Sequence, residues 1–379
     1  MKIIDTNESI FVPYRICPLG AHIDHQLGNV TGFAIDKGIT MNYHKTLDGS
    51  FHVSSYDFEN EAIFTYSTLP KIMNTWYDYL VASILSIKEK YELKYGIYGY
   101  INQALPIGGL ASSSTIIILY LLSLAKVNNI MLTKEELVSL VVKVESKYLN
   151  KKVGILDPFC EIYGKKDKLL YIDTKDSSYH YIETNQELNF KICLIYSGVS
   201  RNLRNTLYNV RVDECKVAAY LINSFNRENT IEFSNAYLRN FSKIEFEKVK
   251  QSFPKNIEKR CTHFYSEMDR VQQGISYFKQ GNLEEFGRLM FLSGSSSIYN
   301  YDTGSKPLET LHNILRKTEG VYGGRFSGAG FNGYYIAIID PSKEKQIKKF
   351  ITAEYLKIYP EYKSKFKIMF CNTSDGVKL

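Results

Sequence analysis

The chain has 379 residues, of which 44% are hydrophobic and 23% are charged. These fractions are typical of a folded, soluble protein, and no stretch approaches the roughly eighteen uninterrupted apolar residues that cross a bilayer, which excludes a membrane-spanning protein. The formal net charge is +7, but the lysines are spread along the chain without a long basic run, so the charge does not indicate a nucleic-acid partner.

The length and the first residues set further expectations. A single hydrophobic core stops growing at about 250–300 residues, so we expect two domains. The N-terminal sequence MKIIDTNESIFVPYR has neither a basic region nor a continuous apolar run of the kind that directs secretion, so we expect a cytoplasmic protein. The six cysteines lie far apart without a C-x-x-C pair, which favours buried free thiols over a zinc site.

Short β-rich segments and a central helix are predicted in the first half. The predicted strands are IFVPYRI, NVTGFAI, SFHVSSY, EAIFTYS and YGIYGYI, and apolar residues recur at helical spacing between residues 72 and 91. An apolar helix from Ser112 to Asn128 follows a glycine-rich turn. Thr133 and Glu136 form a capping-box pattern, which predicts another helix ending near Leu149.

The second half begins with a predicted strand over residues 191–197. Three or four long helices are expected between residues 201 and 319, followed by a glycine-rich loop, the strand YYIAII, the helix KEKQIKKFITAEYLKIY and a last strand, FKIMFC. No repeat or Pro/Gly-rich linker marks a boundary, so only the order of elements places it, near residue 188. We therefore expect domains of residues 1–187 and 188–379.

A glycine–serine turn is the clearest local motif. The segment LPIGGLASSS, from Leu105 to Ser114, runs directly into the apolar helix. Glycines let a backbone approach a ligand closely, and the free N–H groups and dipole at the start of a helix favour phosphate. It is not a Walker A loop, because G-x-x-x-x-G-K-[ST] is absent and no lysine follows the serines. Taken alone, the segment fits either an anion site or an ordinary turn with serine caps.

Two more segments complete an ordered set of motifs. RICPLGAHIDH, from Arg15 to His25, resembles the galactokinase signature R-x-N-x-I-G-E-H-x-D-Y, and GGRFSGAGFNG, at 323–333, is similar to the loop G-x-x-x-T-G-A-G-x-G-G. The serine tract between them resembles P-x-G-x-G-L-S-S-S, and all three occur in the order found in the GHMP kinases. Shorter matches, GILD at 154–157, YNVR at 208–211 and SDG at 374–376, extend the resemblance over nearly the whole chain.

The resemblance implies an α+β GHMP kinase fold. In this fold an N-terminal ribosomal-protein-S5-like α/β domain and a C-terminal ferredoxin-like α+β domain hold the active site between them. The implied activity is that of a sugar kinase that uses ATP and Mg²⁺, and a mildly cationic surface suits such anionic substrates. The implied phosphate-loop residues are Pro106, Gly108, Gly109, Leu110, Ala111, Ser112, Ser113 and Ser114. Trp76 matches a family aromatic near the adenine, but its helical spacing with Leu80 fits a core position equally well.

The resemblance also implies the metal and catalytic residues. Ser113 and Glu145 would hold Mg²⁺, an ion that prefers oxygen ligands. Glu145 precedes Asp157 by the spacing of galactokinase-like sequences, although it also fits a solvated helix residue in a charged stretch. Asp157 would accept the proton of the anomeric hydroxyl, with Arg15 as fixed positive charge beside it. Asp157 also fits the N-cap of a helix that begins at Pro158.

The first motif supplies the sugar side of the implied site. Asp24 would accept hydrogen bonds from ring hydroxyls with His22 beside it, and Tyr208 would line the far wall. His22, Asp24 and His25 also resemble a metal cluster, but a catalytic zinc site needs a third well-placed ligand and a distinct base. Sugar binding is therefore the preferred interpretation.

Ala21 is the informative departure, because galactokinases have a glutamate there that binds the hydroxymethyl end of the sugar. A glutamate about 4 Å from a substrate carboxylate would repel it by ~4 kcal/mol at an effective dielectric constant of about 20, and alanine abolishes this repulsion. The string CPLGAHIDHQ is closely similar to galacturonokinases, so we expect D-galacturonate as the substrate. Arg201 and Arg204 are candidate partners of its carboxylate, since a guanidinium grips a carboxylate in a planar fork.

Several alternatives stay open at this point. A galactokinase, a kinase for glucuronate or another hexose, and a sugar sensor that binds ATP without turnover all share the same motifs. For Arg201 and Arg204, simple surface exposure is the alternative to substrate binding.

Overall fold

The computed structural model describes residues 3–103, 105–199, 207–226, 231–331 and 333–379. The strands are β1 Ile3–Ile16, β2 Asn29–Thr46, β3 Ser50–Ser55, β4 Phe58–Thr65, β5 Gly96–Gln103, β6 Leu169–Asp173, β7 Ser178–Ile182, β8 Lys191–Tyr196, β9 Val321–Phe326, β10 Tyr334–Ile339, β11 Lys367–Cys371 and β12 Thr373–Ser374. The α-helices are α1 Asp78–Lys88, α2 Ser112–Val127, α3 Lys134–Lys143, α4 Leu156–Tyr163, α5 Tyr208–Asn226, α6 Lys243–Val249, α7 Lys255–Lys279, α8 Leu283–Tyr299, α9 Lys306–Leu315 and α10 Glu344–Ile358. Within these ranges no helix is long and apolar enough to cross a membrane.

The long strand β2 organises the first sheet. Over the described residues, eight strands follow the order β4-β3-β5-β2-β6-β7, with β1 and β12 also paired to β2. The β3–β5 pair is parallel and the pairs made by β2 are antiparallel. The register of β1 against β2 shifts between Pro13 and Arg15, a bulge of the kind that re-aims a side chain. This irregularity lies at the residue predicted to carry the catalytic charge.

The helix α2 lies behind the glycine–serine turn and is buried along most of its length. Residues 117–122 are all buried in the main core, where α2 packs against α1, α3, α4 and the first sheet. A helix that is apolar on every face is stable only when other elements surround it. The packing of α2 against these helices and the first sheet therefore fixes the position of its N-terminus, where the turn lies.

The second sheet is antiparallel and has the order β11-β8-β10-β9 over the described residues. Every residue of β10 is buried, because successive side chains of a strand point to opposite faces and both faces are covered. Its even-numbered residues pack into the main core, and its odd-numbered residues pack into a second core beneath α9 and α10. The chain then returns to the first sheet through β12.

The predicted strands and most predicted helices are present, but α1 is shorter than the pattern over residues 72–91 indicated. The helix begins at Asp78, whose carboxylate accepts hydrogen bonds from Thr75 N (3.0 Å) and Thr75 Oγ1 (2.6 Å). Asn74 has a left-handed φ of 69°, which no helix accommodates. Trp76 therefore lies in a loop before the helix. The domain boundary at residues 187 and 188 stays a prediction.

Candidate active site

Two glycine-rich loops from opposite halves of the chain interlock. A Cβ atom on Gly109 would lie 2.7 Å from Ser327 O, and a Cβ atom on Gly328 would lie 2.7 Å from the Cα atom of Gly109. A Cβ atom on Gly333 would likewise lie 2.8 Å from Gly108 O. Gly109 and Gly328 also have left-handed φ values of 83° and 66°. Only glycine fits these positions, so the phosphate-loop motif and the third motif form one continuous surface.

Arg15 joins these loops to Asp157. Its Nε donates to Asp157 Oδ1 at 2.8 Å, and its Nη1 donates to Gly109 O at 3.2 Å and to Ser327 Oγ at 3.4 Å. Burial lowers the pKa of Arg15, but the neighbouring carboxylate of Asp157 outweighs this effect and holds the pKa above its usual value. Asp157 itself is 29% exposed and lies in the first turn of α4, where the helix dipole favours a negative charge. The expectation of a helix beginning at Pro158 was wrong, because α4 begins at Leu156 with Ile155 as N-cap.

Ser113 and Glu145 meet beside the phosphate loop, as the metal-site prediction requires. Ser113 Oγ donates to Glu145 Oε1 at 2.9 Å, and Lys151 Nζ lies 3.4 Å from the same oxygen. Glu145 is 2% exposed, and burial raises its pKa. It lies in a π-helical turn, Val144–Tyr148, a local irregularity often found at functional sites. The alternative of a solvated helix residue is wrong.

The Ser113–Glu145 pair suits a magnesium ion. It offers two oxygen ligands, and Mg²⁺ commonly takes one or two protein oxygens together with water and substrate phosphates. The described residues contain no group of three or more His, Cys, Asp or Glu side chains that would hold a metal by themselves. A metal bound there would thus depend on the nucleotide for further ligands.

A buried carboxyl group lies directly beneath the phosphate loop. Thr115 Oγ1 lies within hydrogen-bonding distance of both Glu161 Oε1, at 2.5 Å, and Ala111 O, at 3.1 Å. Burial, followed by the charge of Asp157, raises the pKa of Glu161 well above its usual value. Ser114 is also fully buried, beside this carboxyl group. The side chain of Ser114 is therefore not exposed to a ligand, whereas Ser112 and Ser113 are partly exposed.

His22 connects the first motif to the third. Its Nε2 lies 2.8 Å from Gly328 O, and its ring stacks on Tyr301 with centroids 4.7 Å apart. Burial lowers its pKa well below the usual value, so the ring is neutral. A carbonyl oxygen only accepts hydrogen bonds, so Nε2 carries the proton and Nδ1 is an acceptor. Nδ1 is buried and has no hydrogen-bond partner among the described residues, which leaves it available to a ligand hydroxyl.

Helix α7 holds the backbone on either side of Ala21. His263 Nε2 lies 3.0 Å from Ala21 O, and Glu267 Oε1 accepts from Gly20 N at 2.8 Å. His263 and Glu267 are four residues apart, so they occupy one face of the helix. Burial opposes the charge of Glu267, but Arg270 and other neighbours lower its pKa to about 2. Ala21, between these two contacts, is 7% exposed.

Asp24 lies against the segment that leads to Asp157. A Cβ atom on Gly154 would lie 2.2 Å from Asp24 Oδ2, so the GILD motif needs its glycine to leave room for this carboxylate. Burial and the charge of Asp157 raise the pKa of Asp24 to about 6, against the opposing backbone hydrogen bonds of His25 and Leu156. Asp24 is thus a carboxylate whose charge changes close to neutral pH.

Two tyrosines from the second half of the chain lie beside His22 and His25. Tyr208 begins α5 with its ring 6.1 Å from that of His22 and 6.1 Å from that of His25. The hydroxyl of Tyr301, after α8, and Nε2 of His25 form a hydrogen bond 2.7 Å long.

Trp76, from the first half of the chain, stacks on Phe58 with centroids 5.4 Å apart. These two rings help to line a depression of about 510 Å³.

The sequence did not identify every residue of the site. Arg201 and Arg204 lie outside the described residues, so their prediction is not addressed. The structure adds Tyr301, Lys151, Glu161, His263 and Glu267, none of which belongs to the motifs. Ser327 was within the third motif, where its position beside Gly328 was the available signal.

Comparison with known proteins identifies the family and the fold. The model of the GHMP kinases N terminal domain matches residues 78–165, and the GHMP kinases C terminal model matches residues 275–357. A galacturonokinase from Arabidopsis thaliana is 33% identical, covering 98% of this chain and 93% of its own. A galactokinase from Clostridium perfringens (strain 13 / Type A) is 30% identical over 93% of this chain and 90% of its own.

Solved structures agree with this assignment. The crystal structure of Lactococcus lactis galactokinase complexed with galactose has a TM-score of 0.88 at 25% identity and covers 98% of this chain and 94% of that one. A mevalonate kinase with a TM-score of 0.67 at 18% identity, covering 97% of this chain and 99% of its own, shares the fold. The chain belongs to the GHMP kinase family. It is a sugar kinase, a phosphotransferase that uses ATP and an alcohol group as acceptor, which confirms the family, fold and enzyme class predicted above.

Proposed function

We propose that this sugar kinase transfers the γ-phosphoryl group of ATP to the anomeric hydroxyl of D-galacturonate, giving galacturonate 1-phosphate. The observation that carries the choice of substrate is Ala21, a buried small residue beside the proposed sugar-binding groups His22 and Asp24. A uronate brings its own negative charge, and an alanine places no carboxylate against it. The similarity to the galacturonokinase of Arabidopsis thaliana supports the same choice.

Asp157 and Arg15 are proposed to act on the reacting groups. Arg15 binds one oxygen of Asp157, and no described residue donates a hydrogen bond to the other oxygen, Oδ2. Oδ2 would accept the proton of the anomeric hydroxyl and orient its oxygen toward the γ-phosphorus. The guanidinium would stabilise the negative charge that spreads over the transferring phosphoryl group.

His22 and Asp24 are proposed to hold the sugar ring. The unpartnered Nδ1 of His22 accepts a hydrogen bond from one hydroxyl, and the Asp24 carboxylate accepts from others. Their acceptor character matches the donors of a polyhydroxylated ring. Tyr208 would close the far side of the pocket, and Arg201 or Arg204 would pair with the substrate carboxylate.

The nucleotide is proposed to bind across the interlocked glycine loops. The N–H groups at the start of α2 would contact the phosphates, and Trp76 would lie near the adenine. Ser113 and Glu145 would hold Mg²⁺, which supplies charge neutralisation for the phosphate oxygens when it is bound. Both oxygen ligands are already within hydrogen-bonding distance of each other.

A galactokinase is the second candidate. The galactose complex from Lactococcus lactis covers almost the entire chain at a TM-score of 0.88, so the overall architecture is compatible with a neutral hexose. The two candidates differ chiefly in whether the end of the sugar near Ala21 is charged.

An ADP-release assay with galacturonate, glucuronate, galactose and glucose separates the candidates. We expect kcat/KM for galacturonate to be at least about tenfold above that for galactose and glucose, because a site that lacks a needed contact discriminates against a neutral sugar. We also expect it to exceed that for glucuronate, on the strength of the similarity to a galacturonokinase. Phosphorus NMR of the product should show an anomeric phosphate. Preference for galactose or glucuronate would refute the substrate. Binding of ATP and galacturonate without any ADP release would make the chain a sugar sensor.

A further inference from the structure

Lys151 lies beside the proposed metal site, although no sequence motif includes it. Its Nζ is 3.4 Å from Glu145 Oε1 and 3.3 Å from Tyr79 OH, and the Tyr79 ring centroid is 4.7 Å from the ammonium. The Lys151 side chain is 25% exposed. Ser113 and Lys151 therefore approach the same carboxylate oxygen, one from the phosphate loop and the other from the segment that leads to α4.

The glycine–serine loop has no lysine of its own. Walker A loops place a lysine directly on the transferring phosphates, whereas here three serines and a threonine follow the glycines. Arg15 is already bound to Asp157 on the side of the acceptor hydroxyl. On the side of Ser113 and Glu145, a positive charge close to the loop is supplied by Lys151.

We propose that Lys151 is a further triphosphate-binding residue, which neutralises Glu145 in the free enzyme and pairs with phosphate oxygens when the nucleotide binds. The proposal rests on the proposed roles of Ser113 and Glu145 but not on the identity of the sugar. A lysine is suited to this exchange because its ammonium is a mobile point charge on a flexible stem. Tyr79 holds the ammonium beside Glu145 in the free enzyme, and the Lys151 side chain is partly exposed.

The neighbouring Lys152 provides a matched control. Its Nζ binds both carboxylate oxygens of Asp213 on α5, at 2.5 and 2.7 Å, and its side chain is 44% exposed. Lys151→Met and Lys152→Met remove the same charge from adjacent positions. Methionine also retains most of the apolar stem of the lysine.

Calorimetric titration of the full chain with ATP and with ADP, each with and without Mg²⁺, tests the proposal. We expect Lys151→Met to weaken metal-free ATP binding by about 10- to 100-fold, since one close charge pair is lost, and Lys152→Met to change it less than about twofold. Lys151→Arg should restore most of the affinity. Equal affinities for Lys151→Met and Lys152→Met, with thermal melting showing both folded, would overturn the proposal.

A double-mutant cycle with Glu145→Gln separates direct phosphate binding from simple neutralisation of Glu145. If Lys151 contacts the phosphates, Lys151→Met weakens metal-free ATP binding in the Glu145→Gln background as well. A loss that disappears in that background means that Lys151 acts only through Glu145, and it would overturn the proposal. The titrations contain no sugar, so a failure of the galacturonate proposal would appear in the ADP-release assay and leave these results unchanged.

Discussion

Two nitrogens of the Arg15 guanidinium lie beside a single oxygen of Asp157: Nε donates to Oδ1 at 2.8 Å, and Nη2 forms an ion pair with the same oxygen at 2.7 Å. Its remaining nitrogen reaches Gly109 O and Ser327 Oγ. One side chain thus connects β1, the phosphate loop, α4 and the loop after β9. The arrangement fixes the orientation of Asp157 without using its second oxygen.

Replacing Asp157 with asparagine should remove catalysis and leave binding intact. The amide keeps the shape of the carboxylate but does not accept the proton of the acceptor hydroxyl, so kcat should fall by about 10²- to 10⁴-fold. Steady-state ADP release measures the loss, and titration with ATP should show affinity within about threefold of the wild type. A variant that keeps nearly full kcat would show that Asp157 is not the base.

The charge at position 21 should decide which sugar is used. We expect Ala21→Glu to lower kcat/KM for galacturonate about 100-fold more than for galactose, because the added carboxylate repels that of the substrate. Ala21→Gln is the matched control, since it adds nearly the same volume without the charge. Equal losses for both sugars with Ala21→Glu, or the same selectivity with Ala21→Gln, would contradict the electrostatic explanation. Melting curves of both variants check that the buried position tolerates the larger side chain.

Sugar binding should weaken as the pH falls through about 6. Burial and the charge of Asp157 raise the pKa of Asp24 to about 6, so the acceptor becomes protonated just below neutral pH. The Kd for the sugar should then rise by up to about tenfold per pH unit below that value, since the ionised form is the one that binds. Asp24→Asn should bind weakly at every pH and show no such inflection. A flat profile for the wild type would exclude Asp24 from sugar binding.

A loss of protein stability does not account for the predicted weakening of sugar binding at low pH. The pKa of Asp24 in the folded protein lies above the value of about 3.9 for an unfolded aspartate, so the folded state binds the proton more tightly. The contribution of Asp24 to stability therefore increases as the pH falls from about 6 to about 4. Across this window, thermal melting should show that the wild type loses no more stability than Asp24→Asn does.

The contact between the two glycine loops should tolerate no side chain. Gly109→Ala and Gly328→Ala place a Cβ atom 2.7 Å from the opposing loop. Each should lower the melting temperature and weaken ATP binding, because left-handed strain of about 1–3 kcal/mol is joined by a steric clash. Gly304→Ala is the control, since its φ is 114° but its nearest neighbour would be 3.4 Å away. If Gly304→Ala were as damaging as the other two, strain alone would explain the effect.

Local pattern was sufficient for much of this protein. Alternation of apolar residues placed the strands of the first sheet, and the all-apolar run after LPIGGLASSS predicted α2 and its phosphate loop. These features depend on residues that are neighbours in the chain, so a short window contains the whole signal. The three motifs in order then identified the family, which the comparisons confirm.

The start of α1 and the π-helical turn were beyond this kind of inference. The helical spacing from residue 72 did not take account of Asp78. Its carboxylate accepts hydrogen bonds from Thr75 in the preceding loop, so the helix begins only at Asp78. The π turn places Glu145 opposite Ser113 only because α2 and α3 pack together. In the first case a hydrogen-bonded turn three residues long overrode the helical spacing, and in the second the packing of another helix did so.

The sequence by itself determined the family, and its short motifs predicted the phosphate loop and the roles of Arg15, Glu145 and Asp157. Only the tertiary structure decided that Lys151 joins Glu145, and that His263 and Glu267 hold the backbone of Gly20 and Ala21. Gly20 and Glu267 are separated by 247 residues, and such a contact leaves no pattern in any local window. Burial of the two hydrophobic cores brings these distant groups together when the chain folds. The sequence around each residue does not indicate which distant residue it will contact.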